Sequence, residues 1–159
     1  MTKLLDNMNA QMNREYESAY IYKGMAIYAA GANFRGATGW MEKQADEEVT
    51  HAEKFKEFLL DLGYQPKLTG MEEAKTEYKS LADIFEAALD HEKFISKNIR
   101  DLYKQAVEEA NYEVQVFLNW FIEEQVEEEA SVGEIVDLLE MVGDSKNGLF
   151  MLDAQLGRR

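Results

Sequence analysis

Along four stretches of this chain, apolar residues recur at alternating steps of three and four, and each stripe skips a beat at one place. The first stripe carries Leu5, Met8, Met12, Ala19, Tyr22, Ala26 and Ala29, and its missing position is Glu15. In the second, Met41, Ala45, Ala52, Phe55 and Leu59 enclose Glu48, with His51 three residues later on the same face. The third, Phe85, Ala88, Ile95, Ile99 and Leu102, contains Glu92. The fourth, Val114, Leu118, Phe121, Val132, Ile135 and Leu139, is interrupted by Gln125 and Glu128.

Carboxylates placed in an apolar seam need a compensating charge. Each ion taken out of water loses several kcal/mol, and like charges a few ångströms apart repel. A pair of divalent or trivalent cations resolves that conflict. Oxygen donors with one imidazole suit iron or manganese. A lone seam glutamate is ordinarily half exposed or paired with lysine, and an ExxH spacing occurs on many helices without a metal. The metal reading rests instead on coincidence: the polar positions come from four segments and lie near the middle of each.

Those segments read as helices over 4–31, 37–62, 81–109 and 113–142. AGANFRGA (30–37), EEANYE (108–113) and GDSKNG (143–148) separate them, and Ser80 with Asp83 resembles a capping box opening the third. The connection from Gly63 to Ser80 is too long for a helix hairpin. It has the reach to climb a helix length of about 40 Å, so the second and third helices are expected to run parallel. Two hairpins joined by one long crossover follow, with Leu149, Leu152 and Leu156 marking a short fifth helix. Gly24 and Gly133 fall inside helices, where each costs about 1 kcal/mol relative to alanine, and the sequence offers no reason for them.

The totals exclude several classes. A chain of 159 residues, 46% hydrophobic, is expected to form one all-α domain over 1–159. Its formal net charge of -14 repels phosphate backbones and anionic lipid heads and gathers cations, so nucleic acid and membrane are not expected partners. With no cysteine there are no disulfides, thiolate metal sites or iron–sulfur clusters. Neither a secretory signal nor a membrane span is legible, and a cytoplasmic location is expected.

The segments MNREYESAYIY, QADEEVTHAEKF, DHEKFISKNI and NWFIEEQVEEEAS resemble those of bacterial non-haem ferritins, and the resemblance spans nearly the whole chain. It implies a ferritin-like four-helix bundle with a crossover between helices 2 and 3. By that resemblance Glu15, Glu48 and His51 hold the first iron of a ferroxidase centre. Glu48, Glu92, Gln125 and Glu128 surround the second, with Glu48 bridging. Tyr22 matches the aromatic residue beside that centre, whereas Trp120 reads as packing. Glu47, Glu124 and Glu127 resemble a third iron position, although acids on an exposed face are ordinarily just solvated. His91 adjoins Glu92 off the seam and has no counterpart among the family's ligands. A second ExxH on the fourth helix and a methionine after the ExxH glutamate, both carried by haem-binding bacterioferritins, are replaced here by Gln125 with Glu128 and by Val49, so no haem is expected.

The implied activity is oxidation of two Fe(II) ions by dioxygen or hydrogen peroxide and storage of the product as ferric mineral in a shell of twenty-four subunits. Leu149, Phe150 and Leu156 are expected to seek an interface in such a shell. Two other readings stay open: a di-iron oxidoreductase or peroxidase that stores no mineral, and a non-catalytic acidic bundle.

Overall fold

The computed structural model describes residues 2–159, with the side chain of Thr2 left aside. Five helices follow in order: α1 (Thr2–Gly31), α2 (Arg35–Asp61), α3 (Leu81–Glu108), α4 (Tyr112–Val142) and α5 (Lys146–Leu156). The two hairpins, the long connection and the short fifth helix all match the sequence expectation. The breaks are tighter than expected. Only Ala32, Asn33 and Phe34 separate α1 from α2, because Asn33 takes a left-handed turn (φ 67°) that asparagine tolerates. Likewise α5 begins three residues earlier than GDSKNG suggests, since Ser145 accepts a bond from the Gly148 amide and starts the helix there.

Local chemistry sets the other boundaries. Ser80 accepts from the Asp83 amide at 3.1 Å, and Asp83 accepts from the Lys79 amide at 2.8 Å, so the box closes one residue further back than the usual pattern. Asn111 caps α4 through the Val114 amide. At the start of α2 no neighbouring side chain caps the helix. Asp153, from α5, does so across the fold, accepting from the amides of Gly36 and Ala37 at 3.2 and 2.8 Å. A Cβ on Gly36 would stand 1.7 Å from the Asp153 carbonyl oxygen, so glycine is what lets α5 lie against α2.

The crossover from 63 to 80 has no helix or strand, yet it is pinned along α1. Tyr64 donates to Asp6, the Lys67 amide to Asn9, and the Thr69 amide to Asn13, while Asn9 and Asn13 both donate to the Lys67 carbonyl. Further up, a Cβ on Gly24 would meet the Lys75 carbonyl oxygen at 2.3 Å. That contact supplies the reason for Gly24 that the sequence lacks. Gly133 has open space around it.

Burial follows the stripes, but the apolar core is two clusters rather than one. One contains Ala19, Ala45, Ala88 and Val132; the other contains Met12, Ala52, Ile95 and Phe121. The skipped beat of every helix lies between its members of the two clusters. Leu156 is buried, against the expectation that it would be exposed, because α5 folds back onto the bundle. Leu149 is half-buried, and Phe150 remains exposed.

Candidate metal centre

Between the two apolar clusters lies a polar layer. Glu15 (0% exposed), Glu48 (2%), Glu92 (1%) and Glu128 (6%) all reach it, with His51 and Gln125 also buried. Three sets of side chains bring ligand atoms within 4.8 Å of one another: Glu15, Glu48 and His51; Glu48, Glu92 and Glu128; and His51, Glu124 and Glu128. The first two sets share Glu48. The structure thus assembles two adjacent donor clusters around one common carboxylate, from residues on all four long helices.

Hydrogen bonds hold most of these groups in place. His51 Nδ1 lies 3.2 Å from Glu48 Oε2, within hydrogen-bond reach, and 3.8 Å from Glu15 Oε2, close enough for charge attraction but too far for a hydrogen bond. The Tyr22 hydroxyl donates to Glu92 Oε1 at 2.6 Å. Gln125 Nε2 donates to Glu92 Oε2, to the Glu92 carbonyl and to Ser96, and none of these bonds uses the amide oxygen, the atom able to bind a cation. Glu15 Oε2 is buried and has no hydrogen-bond partner among the described residues. A buried carboxylate oxygen left without a donor is unusual, and a cation would satisfy it. The donor set therefore fits a pair of metal ions: Glu15 and His51 on one side, Glu92 and Glu128 on the other, Glu48 between.

Without metal, protons take up the excess charge. Burial, reinforced by the Glu15 charge and opposed by His51, pushes Glu48 up to about 7. Burial together with Glu48 pushes Glu92 up to about 8, and burial with Glu92 and Glu48 does the same to Glu128, again to about 8. Burial alone would lower His51. The carboxylates of Glu15 and Glu48 more than reverse this, raising it to about 11. Burial and the Glu92 charge hold the Tyr22 hydroxyl well above its ordinary range, so it stays a donor.

Glu47, Glu124 and Glu127 are not in this layer. With Trp40, Gln44, Glu128, Ser131 and Arg159 they line an open cleft of about 340 Å³ beside it. Glu124 is the link, its Oε2 3.6 Å from His51 Nε2. Trp120 packs edge-on to His51 with ring centroids 5.4 Å apart and carries Lys54 over its face. His91, off the seam as expected, meets Ser18 at 2.6 Å and the Tyr22 ring edge-on; burial lowers its pKa to about 4, which keeps it neutral.

The geometry and the comparisons with known proteins agree. A family described as "Ferritin-like domain" matches residues 5–142. The bacterial non-heme ferritin of Escherichia coli O6:H1 is 32% identical over 154 residues, 97% of this chain and 93% of that protein. That of Staphylococcus haemolyticus is 34% identical, covering 98% of this chain and 94% of the relative. This chain belongs to the ferritin family. Among solved structures, an open pore ferritin from the hyperthermophilic archaeon Archaeoglobus fulgidus superposes with a TM-score of 0.99 at 37% identity, covering 100% of this chain and 98% of that one. An all-α ferritin bundle is thus shown twice, by family and by shape.

Sequence reasoning missed two glutamines of this ferritin. Gln11 and Gln44, both fully buried, each sit four residues before a site glutamate and donate to it, Gln11 to Glu15 and Gln44 to Glu48, both at 3.1 Å. Gln44 also donates to Glu128 at 2.7 Å. The signal was available as a repeated Gln-x-x-x-Glu on one helix face.

Proposed function

We propose that the chain oxidises Fe(II) at the paired clusters and stores the product as ferric mineral inside a shell of identical subunits. The observation that carries this reading is the sharing of Glu48 by two donor sets beside an unpartnered Glu15 oxygen. Glu15, Glu48 and His51 take one Fe(II), and Glu48, Glu92, Gln125 and Glu128 the other. Two ferrous ions on one bridging carboxylate give an oxidant two electrons at once, so dioxygen with two protons leaves as hydrogen peroxide, or peroxide with two protons as water. Hard anionic donors favour the ferric product. The neutral Gln125 makes the second position the weaker one, from which iron moves on.

Tyr22 holds Glu92 in place from the side. Glu47, Glu124 and Glu127 form a third, peripheral iron position in the cleft. A shell of twenty-four subunits is supported by the family and by the apolar side chains left exposed, Met141, Phe150 and Met151 among them. Among the described residues no helix is long and apolar enough to cross a membrane, and the cytoplasm is the proposed location.

Anaerobic Fe(II) titration of metal-free protein tests the centre: about two tightly held irons per chain are expected, and none above background would leave a non-catalytic bundle. Size-exclusion chromatography with iron analysis after loading in air tests storage. A dimer with no retained core would favour a di-iron oxidoreductase that stores nothing.

A further inference from the structure

The amide of Gln44 is used from both ends. Its nitrogen donates to Glu48 Oε1 and Glu128 Oε2, and its oxygen accepts from Arg159 Nη2 at 2.7 Å. Arg159 is itself fixed: Nη1 donates to the Trp40 carbonyl at 3.0 Å, Nη2 lies 3.1 Å from Glu47 Oε2, and the guanidinium covers the Trp40 ring at 4.2 Å. The Lys43 ammonium donates to the Arg159 carbonyl oxygen. The Arg159 side chain is a quarter exposed while that of Glu47 is half exposed. Among the described residues lining the acidic cleft, Arg159 is the one that carries positive charge.

We propose that Arg159 is a tethered cation that competes with a divalent metal ion for Glu47 and, through Gln44, couples occupancy of the cleft to the placement of Glu48 and Glu128. The proposal rests on the reading of the cleft as a peripheral metal position. An ion drawn to Glu47, Glu124 and Glu127 meets a guanidinium already paired with the first of them, and two positive charges cannot share that carboxylate without loss. Arg159 must therefore swing away as the ion binds. Release of Arg159 frees the Gln44 oxygen, so the amide that steadies Glu48 and Glu128 loses its anchor. Arginine suits this role because its planar fork reaches Gln44, Glu47 and Trp40 together, which a lysine ammonium could not. Arg159 is a positioning residue here, not a ligand.

Zn(II), which does not oxidise or quench, is the probe, added to assembled, metal-free protein and followed by calorimetry. Wild type is expected to show a weaker class of binding beyond two tight ions. Arg159→Gln tightens that weaker class about tenfold, a coupling of ordinary size. Arg158→Gln, which removes the same charge at the exposed neighbour, leaves it unchanged. In a Trp120→Phe background, Trp40 emission shifts as the weaker class fills, and adding Arg159→Gln abolishes the shift. Equal effects of the two arginine substitutions, or no tightening with Arg159→Gln, would overturn the proposal while the two tight ions stand. Wild type that binds no tight Zn(II) would overturn the metal reading and this proposal with it.

Discussion

Glu48 is the residue on which the paired site turns, because both donor clusters need it and His51 leans on it at 3.2 Å. Glu48→Gln keeps the shape and the Gln44 contact region but removes the shared negative charge. Fast Fe(II) oxidation is expected to fall at least about a hundredfold, equivalent to about 2.7 kcal/mol of barrier, and stopped-flow absorbance would read it. A rate within a factor of a few of wild type would remove Glu48 from the mechanism. The protonation of the layer gives a second expectation. Glu48, Glu92 and Glu128 have folded pKa values of about 7, 8 and 8, above the ordinary 4.5 of an unfolded glutamate. The folded state then holds protons the unfolded chain has given up, so the stability they contribute is full below about pH 4.5 and is lost as pH rises through 7 to 8. His51, raised to about 11, acts in the same direction but loses its share only at still higher pH. The melting temperature of metal-free protein should therefore decline from pH 5.5 to 9, and Glu92→Gln should flatten that decline. Added divalent metal should restore more stability at pH 8.5 than at pH 6, where it must displace protons. A melting temperature that holds level or rises over this range would contradict the buried, protonated layer.

At the scale of the helices, the stripes and their interruptions were legible because a buried face repeats every three to four residues, and acids interrupting all four stripes at one level call for a shared partner. Helix order, the crossover and the six residues that meet in the polar layer could all be read that way. What could not be read depends on contacts distant in sequence. Asp153 caps α2 from more than a hundred residues away, Arg159 reaches Gln44 and Glu47 over a similar span, and Leu156 is buried only because α5 turns back. Gly24 and Gly133 show the same limit in one comparison. Both look like penalties on a helix, yet only Gly24 faces another backbone, the Lys75 carbonyl at 2.3 Å. Gly24→Ala should thus destabilise by about 1–3 kcal/mol as the crossover is pushed off α1. Gly133→Ala should instead stabilise by up to about 1 kcal/mol, through helix propensity alone. Chemical denaturation of the two variants would separate them. Equal effects of the same sign would mean that the crossover does not press on α1 at Gly24.

For the whole molecule, the question is what covers the apolar side chains that the bundle leaves in water. Phe150 and Met151 are adjacent on α5 and are 78% and 70% exposed, while their neighbour Leu152 is buried and anchors the helix to the bundle. Met141, at the end of α4, is 81% exposed. A chain with a net charge of -14 resists association in general, so the proposed assembly requires apolar contact to be concentrated where subunits would meet. The paired donor clusters, by contrast, draw every carboxylate from one chain. Assembly and metal binding should therefore separate. If the proposed shell forms, Phe150→Glu with Met151→Lys is expected to shift the particle to a small oligomer in sedimentation velocity, with the melting temperature of the subunit changed little, because neither side chain packs in the core. The same variant should still bind about two tight Fe(II) per chain under anaerobic titration, yet retain no iron core after loading in air, since no enclosed volume remains to hold mineral. Loss of tight binding together with assembly would mean that a neighbouring subunit completes the centre, and an intact shell would place the apolar contact elsewhere than α5.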